Sequence, residues 1–146
     1  MAERADQRNV IVVGFGPVGR AVTETLENAD VRVILVETNA QTVATRKKLG
    51  KPVVHGNICD THVLEQAGLA SADALILTIP DEEASIRACR TVRQMAPHIY
   101  ICVRVNHLSH SMQATEAGAD HVTVQELVTA ESMQQAVIRK LTECRN

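Results

Sequence analysis

Asn9-Val10-Ile11-Val12-Val13-Gly14-Phe15-Gly16-Pro17-Val18-Gly19-Arg20 is the stretch that decides the fold. Four β-branched residues, 10–13, run straight into a Gly-x-Gly-x-x-Gly loop at Gly14, Gly16 and Gly19, and a helical pattern begins at once. Each glycine has a physical task. Gly14 permits the tight turn, Gly16 lets backbone N–H groups approach a pyrophosphate, and Gly19 lets the helix pack close on the strand. Unpaired N–H groups and the positive end of the helix dipole then attract the anion. The six-residue pattern is weak by itself; the order of the elements that follow gives it weight.

The chain has 146 residues, the size of one domain, enough to bury roughly 70% of its unfolded surface. Hydrophobic residues make up 45% and charged residues 22%, and the net charge is -2. That balance gives no electrostatic footprint for nucleic acid or an anionic membrane. Phe15 and Tyr100 are the only aromatic residues besides histidine, so the stacking platforms of single-strand binders are missing. Cys59, Cys89, Cys102 and Cys144 are scattered, with no CxxC, and the first residues carry no signal-peptide pattern. The expectation is reduced thiols in a cytosolic protein. The longest apolar run, 74–79 with Thr78 inside it, is too short to span a bilayer.

Residues 1–8 are charged and aperiodic and read as a lead-in. Strands are expected over 9–13, 31–37, 53–55, 72–79, 99–105 and 121–124. Helices are expected over 17–28, with Val18, Ala21, Val22 and Leu26 inward, over 40–49, from 60 or 61 to Gly68, from Asp81 to Ala96, over 107–117, and over 125–143. The near-continuous Val/Ile/Leu run of the second strand suits a strand buried on both faces. Regular alternation of strand and helix with short connections predicts an α/β, Rossmann-like, doubly wound sheet of six parallel strands in the order 3-2-1-4-5-6. The domain spans 9–124 and a last helix occupies 125–146, its apolar positions Ala130, Met133, Val137 and Leu141 at 3–4 spacing.

The binding crevice of such a sheet lies at the carboxyl ends of the strands. Glu37 ends the second strand, 18 residues after Gly19, where an acid accepts hydrogen bonds from ribose hydroxyls. Thr38, Asn39 and Ala40 follow, with no Arg or Lys to neutralise a 2′-phosphate, which disfavours NADP. The loop contributes Gly14, Phe15, Gly16, Pro17, Val18 and Gly19, and Thr38 adjoins the ribose. Gly56, Asn57 and Ile58 after the third strand are placed to line an adenine. Thr78, Ile79 and Pro80 end the fourth strand near the loop, and Arg104 ends the fifth as a cation for phosphates. Catalytic constellations are poor. There is no Tyr-x-x-x-Lys, no Gly-x-Ser-x-Gly elbow and no Gly-x-x-x-x-Gly-Lys-Ser/Thr loop. His107 with His110 and Cys59 with His62 are the only metal-like spacings, and neither gains third and fourth ligands. No catalytic and no metal residues are assigned.

The serial order of these motifs resembles the TrkA-N, or RCK N-terminal (KTN), domain. The resemblance rests on 10–20, Glu37, Val54-His55-Gly56-Asn57, Leu64-Glu65-Gln66-Ala67-Gly68-Leu69, Ile101-Cys102-Val103-Arg104-Val105 and Ala117-Gly118-Ala119-Asp120, covering about 9–128. With no second RCK subdomain after the last helix, the chain is most similar to the cytosolic tails of Kef-type potassium efflux antiporters. Three features depart from the pattern. Asn57 stands where the family usually has an acid, Ser85 stands near a ligand-facing Asn, and the chain beyond the fifth strand (Asn106, Gln113, Thr115) is less basic than glutathione-binding tails.

The resemblance implies a regulatory domain that binds NAD(H) or an adenine nucleotide (AMP, ADP or ATP) and controls potassium transport. It also implies a homodimer through a crossover helix over 125–143, or a higher oligomer. The expected partner is a membrane potassium channel or cation/proton antiporter, with the domain cytoplasmic, peripheral to or fused with an inner-membrane transporter. Neither nucleic acid nor direct membrane insertion is expected. The rival reading is a small NAD-dependent oxidoreductase with Thr78, Cys102 or His107 as proton donor.

Overall fold

Runs of Val, Ile and Leu without polar alternation belong in the middle of a parallel sheet covered on both faces. The computed structural model, which describes residues 6–143, puts them there. Its six strands are β1 (Asn9–Val13), β2 (Arg32–Glu37), β3 (Val53–His55), β4 (Ala74–Leu77), β5 (Tyr100–Val105) and β6 (His121–Val124). They form one sheet in the order β3-β2-β1-β4-β5-β6, every pairing parallel, as the alternation predicted. The helices are α1 (Pro17–Asn28), α2 (Ala40–Lys48), α3 (Thr61–Gln66), α4 (Glu82–Met95), α5 (Ser111–Glu116) and α6 (Gln125–Glu143).

Alternate residues of each strand point to opposite faces. Ile11, Val13, Leu75, Leu77, Ile101, Val103 and Val105 form one core layer with Leu64 of α3, Ala88 and Val92 of α4 and Ala114 of α5. Val10, Val12, Val33 and Leu35 form the other, against Phe15 and against Val22 and Leu26 of α1. The second face is only partly covered. Val18, Val22, Ile76, Cys102, Thr123 and Val128 line a shallow groove there, beside α1 and the start of α6.

Several boundaries differ from expectation. β4 is shorter than 72–79 because a left-handed turn at Gly68 and a 3-10 turn, Leu69–Ser71, consume the approach, and Ala72 serves as its cap. The helix expected over 107–117 is broken. A 3-10 turn, Leu108–His110, precedes α5, with Leu108 N–H donating to Glu126 and Ser111 Oγ donating to the Leu108 carbonyl. On α1 the inward face is rotated from the one expected: Gly19 and Thr23 are buried whereas Val18 and Ala21 are exposed. The glycine sets this, because the side without a Cβ is the one that can approach the sheet most closely. Of the lead-in, residues 1–5 lie outside the described residues. Gln7 Nε2 donates to the Asp30 carbonyl and Arg8 pairs with Asp73 at 3.0 Å. Cys144 also lies outside.

The β5–β6 half is pinned by one guanidinium. Arg93 of α4 donates to the Gly118 carbonyl (3.1 and 2.8 Å), to Pro97 O (2.9 Å), to Ile99 O (2.8 Å) and to Asp120 Oδ2 (2.7 Å). Asp120 Oδ2 also accepts the Ile101 N–H at 2.8 Å. The backbone amide of Ile101 chiefly, helped by Arg93, holds the Asp120 carboxyl below its ordinary range against the opposing effect of burial. A carboxylate whose pKa is depressed on folding contributes stability above its unfolded pKa and loses it as pH falls through the folded one. Urea midpoints measured downward from about pH 6 should therefore fall in native protein below about pH 4. Asp120→Asn should be less stable at neutral pH and show a shallower fall over that acid range. Equal slopes would show that this carboxyl is not part of the acid response.

Candidate functional site

A helix entered from a glycine has backbone N–H groups without acceptors at its start. α2, α3 and α4 each close that end with a side chain: Asn39 accepts from Gln41 and Thr42, Asp60 from His62, and Asp81 from Ala84. α1 begins at Gly16 with no side-chain cap. Its open end faces a cleft of about 560 Å³, within the usual range for small-molecule sites. The cleft is lined by the whole loop, 14–19, and by Glu37, Thr38, Asn57, Ile58, Thr78, Ile79, Pro80 and Arg104. All the residues singled out for binding from the sequence stand around this one cleft.

The loop is shaped by close approach. Gly14 has φ +97°, a left-handed conformation that favours glycine. A Cβ on Gly19 would lie 2.0 Å from the Gly14 carbonyl oxygen and 2.8 Å from Thr78 Oγ1. Gly16 is different: its φ is -72°, and a Cβ there would meet no atom within 4 Å. Space is kept in front of Gly16 and excluded behind Gly19, so the donor set and the room suit a phosphate at the helix end.

Around the loop the polar groups are partly committed. Thr78 is buried, and its hydroxyl donates to Val13 O at 2.7 Å, tying the end of β4 to the end of β1. Glu37 Oε1 accepts the Asn39 N–H at 3.1 Å, which holds the carboxylate at the β2 end. Asn57 Oδ1 accepts the Cys59 N–H at 2.8 Å, so its carbonyl is spent on a local turn and its amide N–H₂ remains for a ligand. Ile58 is buried, its side chain in the core beneath the cleft floor. Arg104 lines the far wall, where Nη1 donates to Thr78 O (3.2 Å) and Nη2 to Gln125 Oε1 (2.8 Å). Phe15 lies between two cations, its ring centre 5.2 Å from the Arg20 guanidinium carbon and 5.6 Å from that of Arg46. Contacts of this length are attractive and steady the loop from outside. Arg46 is itself buried and pairs with Glu27 at 3.1 Å.

One expected neighbour is elsewhere. Ser85 is wholly buried on α4, its Oγ without a partner, and does not line the cleft; Ala84 does. Gly56 lines it beside Asn57 and Ile58, as read from the sequence, whereas Val13, Val36 and Asp81 also line it and escaped the sequence reading. Their signal was available in part, since each adjoins a strand end that was read.

The three proton-donor candidates do not converge in the cleft: Thr78 lines the cleft and also the sheet groove, Cys102 lines the sheet groove, and His107 lines a depression beside α6 where its Nδ1 is 2.9 Å from Glu126 Oε1. Burial pushes the Cys102 thiol up from its ordinary value, away from an activated thiolate. Among the described residues no three His, Cys, Asp or Glu side chains are grouped to hold a metal ion.

Residues 10–125 match the TrkA-N domain, and the chain belongs to that family. It is similar to the glutathione-regulated potassium-efflux system protein KefC of Escherichia coli, 28% identical over 115 residues. That alignment covers 79% of this chain, and the chain spans 18% of the length of the curated relatives it matches. The crystal structure of the TrkA-N domain of inner membrane protein ybaL from Escherichia coli superposes with a TM-score of 0.86 at 28% identity, covering 91% of this chain and 98% of that one. GsuK bound to ADP superposes with a TM-score of 0.79 at 27% identity, covering 91% and 34% of the two chains.

The two glycines give opposite expectations. Gly19→Ala drives a Cβ into backbone and should lower the melting temperature strongly, with a loss of about 3 kcal/mol or more. Gly16→Ala meets open space and should melt within a few degrees of native. If Gly16→Ala unfolded like Gly19→Ala, the space before the helix would be structural rather than kept for a ligand.

Proposed function

We propose that this chain is a nucleotide-sensing regulatory domain of potassium transport. The observation that carries the reading is the pairing, in one cleft, of an uncapped helix N-terminus with an acid at the next strand end. The first is built to meet a phosphate and the second to meet ribose hydroxyls. An adenine nucleotide or NAD(H) fits these groups. In this reading 14–19 take the phosphates, Glu37 and Thr38 the ribose, and Asn57 and Ile58 the base. Thr78, Ile79, Pro80 and Arg104 wall the phosphate side. ADP bound to GsuK supports the nucleotide class.

Similarity to KefC supports a potassium efflux antiporter or channel as the membrane partner, with this domain on its cytoplasmic side. No described helix is long and apolar enough to cross a membrane. The domain regulates and does not catalyse. An oxidoreductase needs a proton donor in the cleft, and the one candidate there, Thr78, already donates to the Val13 carbonyl.

Every described residue of α6 is exposed, including Leu127, Val128, Met133, Val137, Ile138 and Leu141. An apolar helix left in water calls for a partner surface, and a second copy of the chain supplies it in this reading. Occupancy of the cleft then biases the arrangement of two protomers, provided the ligand binds one arrangement better than the other.

Calorimetry with NAD, NADH, AMP and ATP is the direct test. At least one should bind, and Glu37→Ala should weaken it by about tenfold or more, the worth of a hydrogen bond to a charged group. Binding by none, or no change in the variant, would remove the assignment. In sedimentation, native chain should run as a dimer, and a chain truncated before Ser132 as a monomer; an unchanged mass would eliminate α6 as the dimer element.

A further inference from the structure

The outer end of the cleft carries a single polar side chain. β3 pairs with β2 so that His55 stands opposite Glu37, and the Gly56 N–H donates to the Glu37 carbonyl at 3.1 Å. The turn 56–58 therefore lies beyond the acid, on the side away from β1 and the glycine loop. In the nucleotide reading, a ligand with its phosphate on that loop and its ribose on Glu37 carries its base toward this turn. The glycosidic bond points back to the ribose, so the edge remote from the sugar meets the turn. In a purine that edge carries the 6-substituent. Of Gly56, Asn57 and Ile58, which line this end, Asn57 alone has a polar side chain. The two acids of the cleft lie elsewhere, Glu37 at the ribose and Asp81 capping the Ala84 N–H at 3.0 Å.

The orientation of the Asn57 amide follows from its partner. Oδ1 accepts the Cys59 N–H at 2.8 Å, and a backbone N–H offers nothing to an N–H₂ group, so the amide stands with its oxygen turned into the turn. Asn57 O accepts the Asp60 N–H at 3.0 Å, and Asp60 Oδ1 accepts the His62 N–H at 2.9 Å, which holds the turn from its other side. The Nδ2 hydrogens have no acceptor among the described residues. An asparagine that reads adenine uses both arms, its oxygen accepting from the 6-amino group and its nitrogen donating to N7. Here the oxygen arm is drawn into the protein's own backbone while both N–H bonds are free, so donation outweighs acceptance at this corner. An aspartate of the same shape would present an acceptor there and no donor.

We propose that Asn57 sets base selectivity, and that it makes the site take a 6-oxopurine nucleotide, of the inosine or guanosine class, at least as well as its 6-amino counterpart. This rests on the reading of the cleft as a nucleotide site and names the base that the site reads. A 6-oxo oxygen receives the Asn57 N–H₂ directly. A 6-amino group turned to the same corner sets donor against donor and leaves the amide without a partner, the more costly arrangement.

The test is calorimetry of AMP and IMP, which share phosphate and ribose and differ at the 6-position of the base, with the full chain, Asn57→Asp and Glu37→Ala. Native protein should bind IMP at least as tightly as AMP. Asn57→Asp keeps an oxygen for the Cys59 N–H and exchanges the donor for an acceptor, so the ratio of IMP to AMP affinity should fall about fivefold or more. Glu37→Ala should weaken both nucleotides alike and leave that ratio unchanged, since it acts at the ribose. Tighter binding of AMP than of IMP by native protein, or an unchanged ratio in Asn57→Asp, overturns base selection by Asn57 while leaving nucleotide binding in place. The native comparison needs no variant and decides alone if Asn57→Asp does not fold. If neither nucleotide binds native protein, the nucleotide reading and the base selectivity fall together.

Discussion

The approach of α1 to the end of β1 is the constraint on which the rest depends. A Cβ on Gly19 would sit 2.0 Å from the Gly14 carbonyl oxygen, so only a bare backbone can pass there. That passage carries the helix N-terminus over the strand end, and it sets the inward face of α1 on Gly19 and Thr23. It also brings Thr78 close enough to bond the last residue of β1. Loop, helix start and β4 end are thus one interlocked unit. Phe15, held between Arg20 and Arg46, fixes its outer side. The cost of such closeness is conformational: Gly14 at φ +97° gives up chain entropy on folding that a larger residue would not have had to lose. Burial of Val10, Val12, Val33 and Leu35 beneath the unit offsets it.

Much of this was legible in the sequence because the signals were local. Unbroken β-branched runs marked the central strands, and glycines and capping acids marked helix ends. Glu37 could be read because its position follows from the order of strand, loop, helix and strand. The residues that escaped are those whose roles depend on tertiary packing. Ser85 was tied to the cleft by the resemblance alone; it shares the helix face of Ala88, Cys89 and Val92 and is buried with them, and Ala84 lines the cleft instead. The α1 face was misjudged because counting apolar side chains gives weight to Val18 and Ala21 and none to the glycine that controls approach. The helix expected over 107–117 was broken by contacts from far along the chain, Glu126 to Leu108 and His107, which no window of sequence contains.

The polar groups of the cleft divide into committed and open ones. The Thr78 hydroxyl donates to the Val13 carbonyl, and the Asn57 side-chain carbonyl accepts the Cys59 N–H. Groups committed in this way define shape and orientation and have little freedom to move protons. What remains open is suited to polar, charged recognition: the amide groups of the α1 start, one carboxylate and one guanidinium. Burial raises the Cys89 thiol to about 11 and the Cys102 thiol in the same direction, away from reactive thiolates.

The attachment of α6 explains why a sensor of this form can be built on a rigid sheet. The sheet and its two core layers are packed on at least one side at every strand, and packed layers resist graded deformation. α6 instead meets the domain through a few polar contacts at residues 125 and 126, with the rest of its length exposed. Exposed polar contacts of this kind are individually weak. A helix rooted in a hydrophobic interface would need far more energy to reorient than a ligand can supply selectively. The fold thereby keeps its packing in the sheet and leaves the length of α6 open to a partner surface.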